Sequence, residues 1–236
     1  MPLVFSPLAE TVLDTVPKRL LPKHAFVMRQ IGSPPEIDLR MAEIVKEVFL
    51  AHEIKIVDAD ASTGGKDFLE RILGLIRATG FTVAIYSHKT RPTAIANIML
   101  ELGFAAMSGK PLVIVKSERA KAPSDLTRTD WIVYSDTDED GFRLKLKQAT
   151  ETIDSLVQHE KTVLDVALGA RSIDCAIAFE RANKGFLLSG DRQFIEAARE
   201  ILSRLDSVMD DPRISDIERL RSEIKTFLRQ AEHVEV

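Results

Sequence analysis

The feature that most constrains the fold of this chain is a helical stretch that lies between two short apolar runs. Residues 94–109 have helical character, whereas residues 81–86 and 111–116 are short, rich in Val and Ile, and typical of buried strands. Parallel strands are joined by crossover connections, which are usually helices. This order of segments therefore predicts a strand–helix–strand unit with two parallel strands.

The same alternation continues on both sides of that unit. Three further apolar runs have the length of strands, and two further amphipathic stretches have the length of helices, the second of which we expect to stop at Gly80. Strands that alternate with helices in this way predict a flavodoxin-like, doubly wound α/β fold with a parallel sheet in the order 2-1-3-4-5. The predicted strands cover residues 25–28, 54–57, 81–86, 111–116 and 131–134, and the predicted helices cover residues 36–52, 67–79 and 94–108.

The character of the sequence changes on either side of this alternating region. Residues 1–23 contain scattered apolar residues between prolines and are predicted to form an N-terminal extension. Residues 24–140 are the predicted sheet domain. Residues 141–236 have helical apolar periodicity and almost no strand signal, so they predict a C-terminal region of about four helices. We expect the first of these helices to pack on the sheet and the others to form a small bundle, in which residues 190–192 cap a helix that starts before Phe194.

Composition limits the classes of function. The chain has 236 residues, a net charge of −4 and 45% apolar residues, which is ordinary for a globular protein and does not favour general nucleic-acid binding. Cys175 is the only cysteine, so an internal disulfide is impossible, and the five histidines show no metal-ligand spacing. Residues 1–14 lack the features of a signal peptide, and no apolar run approaches bilayer length. We therefore expect a cytoplasmic protein without a membrane partner or a metal site.

Ligands of open parallel sheets bind beyond the carboxyl ends of the strands, where the strand order reverses. In the predicted order this place lies between the first and third strands, next to two polar loops. Arg29 is a candidate partner for a phosphate or a carboxylate, and Lys89 and Arg91 are candidates to neutralise a phosphate at a helix N-terminus. The alternative for all three is a solvated surface charge. The other candidate binding residues are Gly32 and Ser87 in the same loops, and Asp58 and Asp60, which follow the second strand and would bind a ribose.

Glu101 is the candidate catalytic residue. It lies in the helical stretch among apolar and small residues, and Asn97, four positions earlier, shares its face. Cleavage of a ribose–base bond passes through an oxocarbenium-like transition state, which a nearby carboxylate stabilises or attacks covalently. Asn97 would bind a ribose hydroxyl or hold the carboxylate. The alternative is a solvated glutamate without a role in catalysis.

Several of these residues form a pattern that resembles a known family. Lys89 and Arg91 precede the segment NIMLELG at residues 97–103, which is followed by GKP before the fourth strand and by PSDL at residues 123–126. Over residues 24–136 this pattern resembles TIR-like and nucleoside 2-deoxyribosyltransferase-like domains, above all the bacterial TIR-like proteins that are predicted to bind nucleotides. The resemblance does not extend to the C-terminal helices.

The resemblance implies an enzyme that cleaves the ribose–base bond of NAD or a related nucleotide, in bacterial signalling or antiviral defence. Glu101 would be its catalytic residue, and NAD would be a substrate rather than a bound cofactor. Because TIR-like domains commonly act when self-associated, the resemblance also implies a homo-oligomer, which we expect to form through the C-terminal helices. Two alternatives remain open: a nucleotide-sensing module without catalysis, and a nucleoside deoxyribosyltransferase, which has little need for so large a helical region.

Overall fold

The computed structural model describes residues 17–59, 68–121, 131–170, 174–207 and 214–234. Five strands and seven helices lie within these ranges. The strands are β1 (Leu21–Met28), β2 (Lys55–Asp58), β3 (Thr79–Tyr86), β4 (Leu112–Ser117) and β5 (Trp131–Tyr134). The helices are α1 (Glu36–Ala51), α2 (Phe68–Ala78), α3 (Pro92–Met107), α4 (Glu139–Gly169), α5 (Cys175–Ser189), α6 (Gln193–Asp206) and α7 (Ile214–Glu232).

The five strands form one parallel sheet in the order β2-β1-β3-β4-β5, which confirms the predicted fold class and strand order. β3 is the central strand and is buried along its whole length. A strand covered on both faces reads as a continuous apolar run, which is why this segment is so clear in the sequence. Within the described residues, no helix combines the length and the apolar sequence that crossing a bilayer requires.

Alternate side chains of β3 pack on opposite faces of the sheet. Ala84 and Tyr86 belong to a cluster with α2 and α3, whereas Phe81, Val83 and Ile85 belong to a larger cluster with the other helices. Each face of the sheet is therefore covered by a helical layer. The layer of α2 and α3 holds Glu101, and Lys89 and Arg91 lie in the loop that leads from β3 into α3.

The prediction that Gly80 stops α2 is wrong. The helix ends at Ala78, and Gly80 lies inside β3, where a Cβ atom would come within 2.6 Å of the Leu187 carbonyl oxygen of α5. Only a residue without a side chain allows this close approach of helix and strand. Side chains satisfy backbone carbonyl groups at the end of α2 instead. Thr79 Oγ1 donates to Leu75 O at 3.0 Å, and Lys110 Nζ donates to Arg77 O at 3.0 Å.

The C-terminal region consists of helices, as predicted, but they meet the sheet in a different way. α5 packs against β1 and β3, at the centre of the sheet, whereas α4 lies beside α1 and β5. The expectation that only the first helix packs on the sheet is therefore wrong, and the apolar residues of the helices share one core cluster with the sheet. The predicted domain boundary between residues 140 and 141 falls in the first turn of α4.

Residues 190–192, which were predicted to cap the helix before Phe194, join α5 to α6. Gly190 ends α5 with a φ of +71°, and its N–H donates to Phe186 O at 2.7 Å. This left-handed conformation is the usual end of a helix and favours glycine. Asp191 then accepts a hydrogen bond from the backbone N–H of Gln193 at 2.9 Å, where α6 begins.

Candidate functional site

The loops that follow β1 and β3 are joined to each other at the point where the strand order reverses. Gln30 is only 1% exposed, and its Nε2 donates to Ser33 O at 2.7 Å while its Oε1 accepts from the backbone N–H of Arg91 at 2.9 Å. One side chain therefore satisfies backbone groups of both loops. The sequence placed Gln30 in the loop that forms a wall of the predicted site, but it did not indicate that this side chain joins the two loops.

Arg91 and Gly32 also contact each other across this junction. The Arg91 Nη2 donates to Gly32 O at 2.9 Å and to Ile31 O at 3.1 Å. Gly32 has a φ of +69°, a left-handed conformation that turns the loop toward the guanidinium group. Arg91, which the sequence suggested as a phosphate partner, thus holds the loop after β1 in place.

Ser87 shapes the turn that follows β3. Its backbone N–H donates to Thr90 Oγ1 at 2.7 Å, and its Oγ accepts from the Lys89 N–H at 3.0 Å. The Thr90 hydroxyl in turn donates to Asp38 Oδ2 at 2.7 Å. Asp38 is 2% exposed, and within the described residues its Oδ1 is a buried atom without a hydrogen-bond partner. Its place in the first turn of α1 favours a negative charge.

Arg29 and Asp58 form an ion pair over the ends of β1 and β2. The Arg29 Nη2 lies 2.8 Å from Asp58 Oδ2, and the side chains are 18% and 25% exposed. The sequence suggested both residues as ligand contacts but gave no sign of their pairing. The pair lines a cavity of about 1030 Å³ beside α1 and β2.

A second, more polar cavity of about 530 Å³ opens at the ends of β3, β4 and β5. Lys89 lies in its wall next to His88, whose Nδ1 and backbone N–H are each 3.1 Å from Ser117 Oγ. Arg40 of α1 lines both this cavity and the one beside β2. The two cavities therefore flank the joined loops and share one wall. Both are within or near the usual size range of small-molecule sites.

Glu101 lies in the third turn of α3, at the border of the face that packs on the sheet. The buried residues Ile98, Leu102 and Ala105 form that face. The Glu101 side chain is partly buried and makes no hydrogen bond or ion pair with any other described residue. Burial raises the pKa of Glu101 to about 7, because the charged carboxylate loses part of its hydration.

The structure separates Glu101 from the loop residues. At 1.5 Å per residue, Glu101 lies about 14 Å along α3 from Pro92, the first residue of the helix. Asn97 lies one turn before Glu101 but is exposed, and no hydrogen bond joins these two described side chains. Arg29, Gly32, Asp58, Ser87, Lys89 and Arg91 lie together around the carboxyl ends of the strands, whereas Asn97 and Glu101 lie farther down the helix.

Some predicted features fall outside the described residues. These are Asp60, the PSDL segment at residues 123–126, and Asp67, which is the first residue of the predicted second helix. Among the residues that the structure does describe, no group of three or more His, Cys, Asp or Glu side chains is placed to hold a metal ion. The chain matches no family model, no curated protein and no solved structure.

Proposed function

We propose that this chain cleaves the bond between ribose and base in NAD or a related nucleotide, with Glu101 as the catalytic carboxylate. The observation that supports this most strongly is the state of Glu101, a partly buried carboxyl group without a partner among the described residues and with a pKa raised to about 7. Carboxylates that are buried for structural reasons are paired or hydrogen-bonded. Carboxylates that keep a protein soluble are exposed at its surface. An unpaired, desolvated carboxylate is typical of a functional site.

The chemistry needs the charged form of Glu101. In hydrolysis of NAD, the bond between C1′ of the ribose and the nicotinamide nitrogen breaks, nicotinamide leaves with the electron pair, and water supplies the hydroxyl group at C1′. Positive charge develops on the ribose before the water bond is complete. A carboxylate in poorly hydrated surroundings stabilises that charge more strongly than one in water does.

The N-terminus of α3 favours a nucleotide over a nucleoside. The N-terminus of a helix binds phosphate through its free N–H groups and its dipole, and Lys89 lies exposed just before that of α3. NAD offers a diphosphate to such a site, whereas the simple deoxynucleosides of a transferase carry no phosphate. This supports NAD or a related nucleotide as substrate.

The test is a panel of substrates incubated with the purified chain, with chromatography to detect any free base. We expect nicotinamide from NAD and slower release from nicotinamide mononucleotide, which lacks the second half of the dinucleotide. We expect no exchange between deoxyadenosine and a free acceptor base. Base exchange without hydrolysis of NAD would contradict the proposal and identify a transferase.

A nucleotide sensor without catalysis is the second candidate, and the contacts of Arg40 favour it. Arg40 lines both cavities, and its Nε and Nη2 donate to the two carboxylate oxygens of Glu139, each at 2.8 Å. Glu139 begins α4, so this bidentate pair links the cavities to the C-terminal helices. If the chain releases no base but calorimetry detects NAD binding that Arg40→Ala weakens, the sensor replaces the enzyme.

A further inference from the structure

We propose that the cavity at the amino ends of β1 and β2 is a second binding site, specific for a nucleoside polyphosphate. It has a volume of about 1050 Å³, near the upper end of the usual range for small-molecule sites. Its walls come from residues 18–24, the end of α1, the start of β2 and the last turns of α7. Neither Glu101 nor the candidate loop residues at the carboxyl ends of the strands line this cavity, so the two sites are separate.

The charge of this cavity points to an anionic ligand. Among the described lining residues, Glu53 is the only carboxylate, and two histidines are also present. α1 and α7 both end at the cavity, and each helix end contributes roughly half a negative charge. Among the described lining residues the cations still outweigh these charges, with a sum of about +3, in a chain whose net charge is −4. The five cationic residues of the lining are Lys18, Arg19, Lys23, Lys55 and Arg229.

Most of the positive charge is not neutralised by other described residues. Lys23 Nζ pairs with Glu53 at 2.8 Å. Lys18, Arg19 and Lys55 are exposed and form no hydrogen bond or ion pair through their side chains with any described residue. Unpaired cations around a concave surface attract a polyanion and concentrate it there. Several phosphate groups match this arrangement better than one, because the cations come from separate elements of the wall.

The rest of the wall suits a base and a ribose. Leu20, Leu21 and Pro22 provide apolar surface on one side, and Leu50 and Val234 provide it on the other. Gln230 also lines the cavity, and its Nε2 donates to Pro17 O. Inorganic phosphates offer no apolar surface, whereas a nucleoside polyphosphate offers both phosphate groups and an apolar base.

Two unusual backbone conformations occur at the edge of the cavity. Lys23 has a φ of +54° and Glu53 a φ of +60°, both in the left-handed region that residues with side chains rarely adopt. The pairing of β1 with β3 shifts in register between Leu21 and Ala25, next to Lys23. Strained residues of this kind persist where the surrounding structure holds them, often at binding sites. The Lys23–Glu53 ion pair joins the two strained segments directly.

The test is calorimetric titration of the full chain with ATP, and with inorganic triphosphate for comparison. The cavity variant carries Lys55→Glu and Arg229→Glu. Its matched control carries Lys145→Glu and Lys147→Glu, two exposed positions on α4, so that both variants change the net charge equally. We expect ATP to bind wild type more tightly than triphosphate does, and the cavity variant to lose at least tenfold in affinity. The control variant should stay within twofold.

Three results would overturn the second site. One is the absence of ATP binding at millimolar concentration, and another is an equal loss in the cavity and control variants, which would indicate a nonspecific charge effect. The third is loss of ATP binding in Arg91→Ala or Glu101→Gln with no loss in the cavity variant, which would mean that ATP binds at the candidate glycosidase site.

Lys18→Glu serves as a further cavity variant if the double variant unfolds at lower temperature than its control. Release of nicotinamide from NAD does not depend on any of these results, so the two proposals fail separately.

Discussion

At the scale of single residues, burial shifts two ionisable groups toward neutral pH from opposite directions. Burial raises the pKa of Glu101 to about 7. Burial lowers the pKa of Lys110 to about 7 as well, and the positive charges of Arg77 and Lys184 lower it further. Both residues are therefore destabilising when charged in the folded chain. For Lys110, backbone carbonyl oxygens of Arg77 and Thr79 accept hydrogen bonds from Nζ, whereas Glu101 has no such partner among the described residues.

We predict that Glu101→Gln stabilises the protein at pH 8 and leaves it unchanged at pH 4. The native pKa of about 7 lies above the ordinary value of 4.5, so the folded chain holds this proton more tightly than the unfolded chain. That contribution is complete below pH 4.5 and is lost as the pH rises through 7, at a cost of up to about 3 kcal/mol. Urea unfolding at pH 4 and at pH 8 measures the difference in the free energy of unfolding between the variant and wild type. Glu151→Gln on the exposed face of α4 is the matched control and should show no such dependence.

The same pKa predicts how activity depends on pH. Because the proposed mechanism needs the carboxylate form of Glu101, kcat/KM for NAD should rise with pH through about 7 and level off above it. The measurement is the initial rate of nicotinamide release between pH 5 and pH 9. A rate that falls over the same interval would mean that the protonated form of Glu101 is the active one, and the proposed role would be wrong.

At the scale of elements, the sequence predicts the strands well because both faces of the sheet are covered. β5 occupies its predicted residues, and β4 and β2 differ by one position at each end. β1 starts at Leu21 instead of residue 25, because Lys23 and His24 interrupt the apolar pattern at the register shift. Contacts between distant segments are what the sequence does not reveal. In the sequence Gly80 resembles the end of a helix. Its actual role depends on a contact with Leu187 of α5, more than a hundred residues later.

Gly80→Ala should destabilise the protein by about 1–3 kcal/mol, because the new methyl group would overlap the backbone of α5. The nearest atom would be Leu187 O at 2.6 Å, which belongs to a helix backbone and has little freedom to move. Gly74→Ala in α2 is the matched control, since a Cβ there meets nothing within 4 Å. That change should be neutral or stabilising by up to about 1 kcal/mol. Equal effects on the urea midpoint would contradict the close packing of α5 on β3.

The positions of the loop residues were predictable from the sequence, but their contacts and their separation from Glu101 were not. Arg29, Lys89 and Arg91 follow the ends of strands, and the strand order alone brings them to one edge. Their partners could not be predicted, because Arg91 contacts a loop about sixty positions away and Arg29 pairs across β1 and β2. Asp38 has the appearance of an ordinary acidic residue at a helix start, and only its burial against Thr90 distinguishes it.

At the scale of the whole molecule, the C-terminal helices and the sheet are built around a shared core. α5 covers β1 and β3, and Glu160 of α4 is buried between Arg181 and Lys184 of α5, at 3.2 and 3.1 Å. A buried carboxylate with two cationic partners fixes the arrangement of these helices and is costly to disrupt. α4 is also joined to α1 through the ion pair of Arg40 and Glu139, so the wall that the two cavities share contacts the helical region.

We predict that self-association depends on exposed apolar side chains near the end of α4 and near the start of α5. Val166 is 71% exposed and Ile177 is 50% exposed, and such side chains on a surface favour contact with a partner. Val166→Lys should lower the molar mass that light scattering measures at micromolar concentration. Met107→Lys on α3, which is 77% exposed, is the control and should leave the mass unchanged. A wild-type chain that is monomeric and fully active would contradict the predicted homo-oligomer.

The most direct test of the proposed function is the time course of nicotinamide release from NAD at pH 8 by three purified proteins. These are wild type, Glu101→Gln and the control Glu151→Gln. We predict that wild type and the control release nicotinamide at rates within twofold of each other, and that Glu101→Gln is slower by at least about 100-fold, as expected when a charge that stabilises the transition state is removed. Equal rates for Glu101→Gln and wild type, or no release by wild type, would contradict the assignment of Glu101 as the catalytic carboxylate.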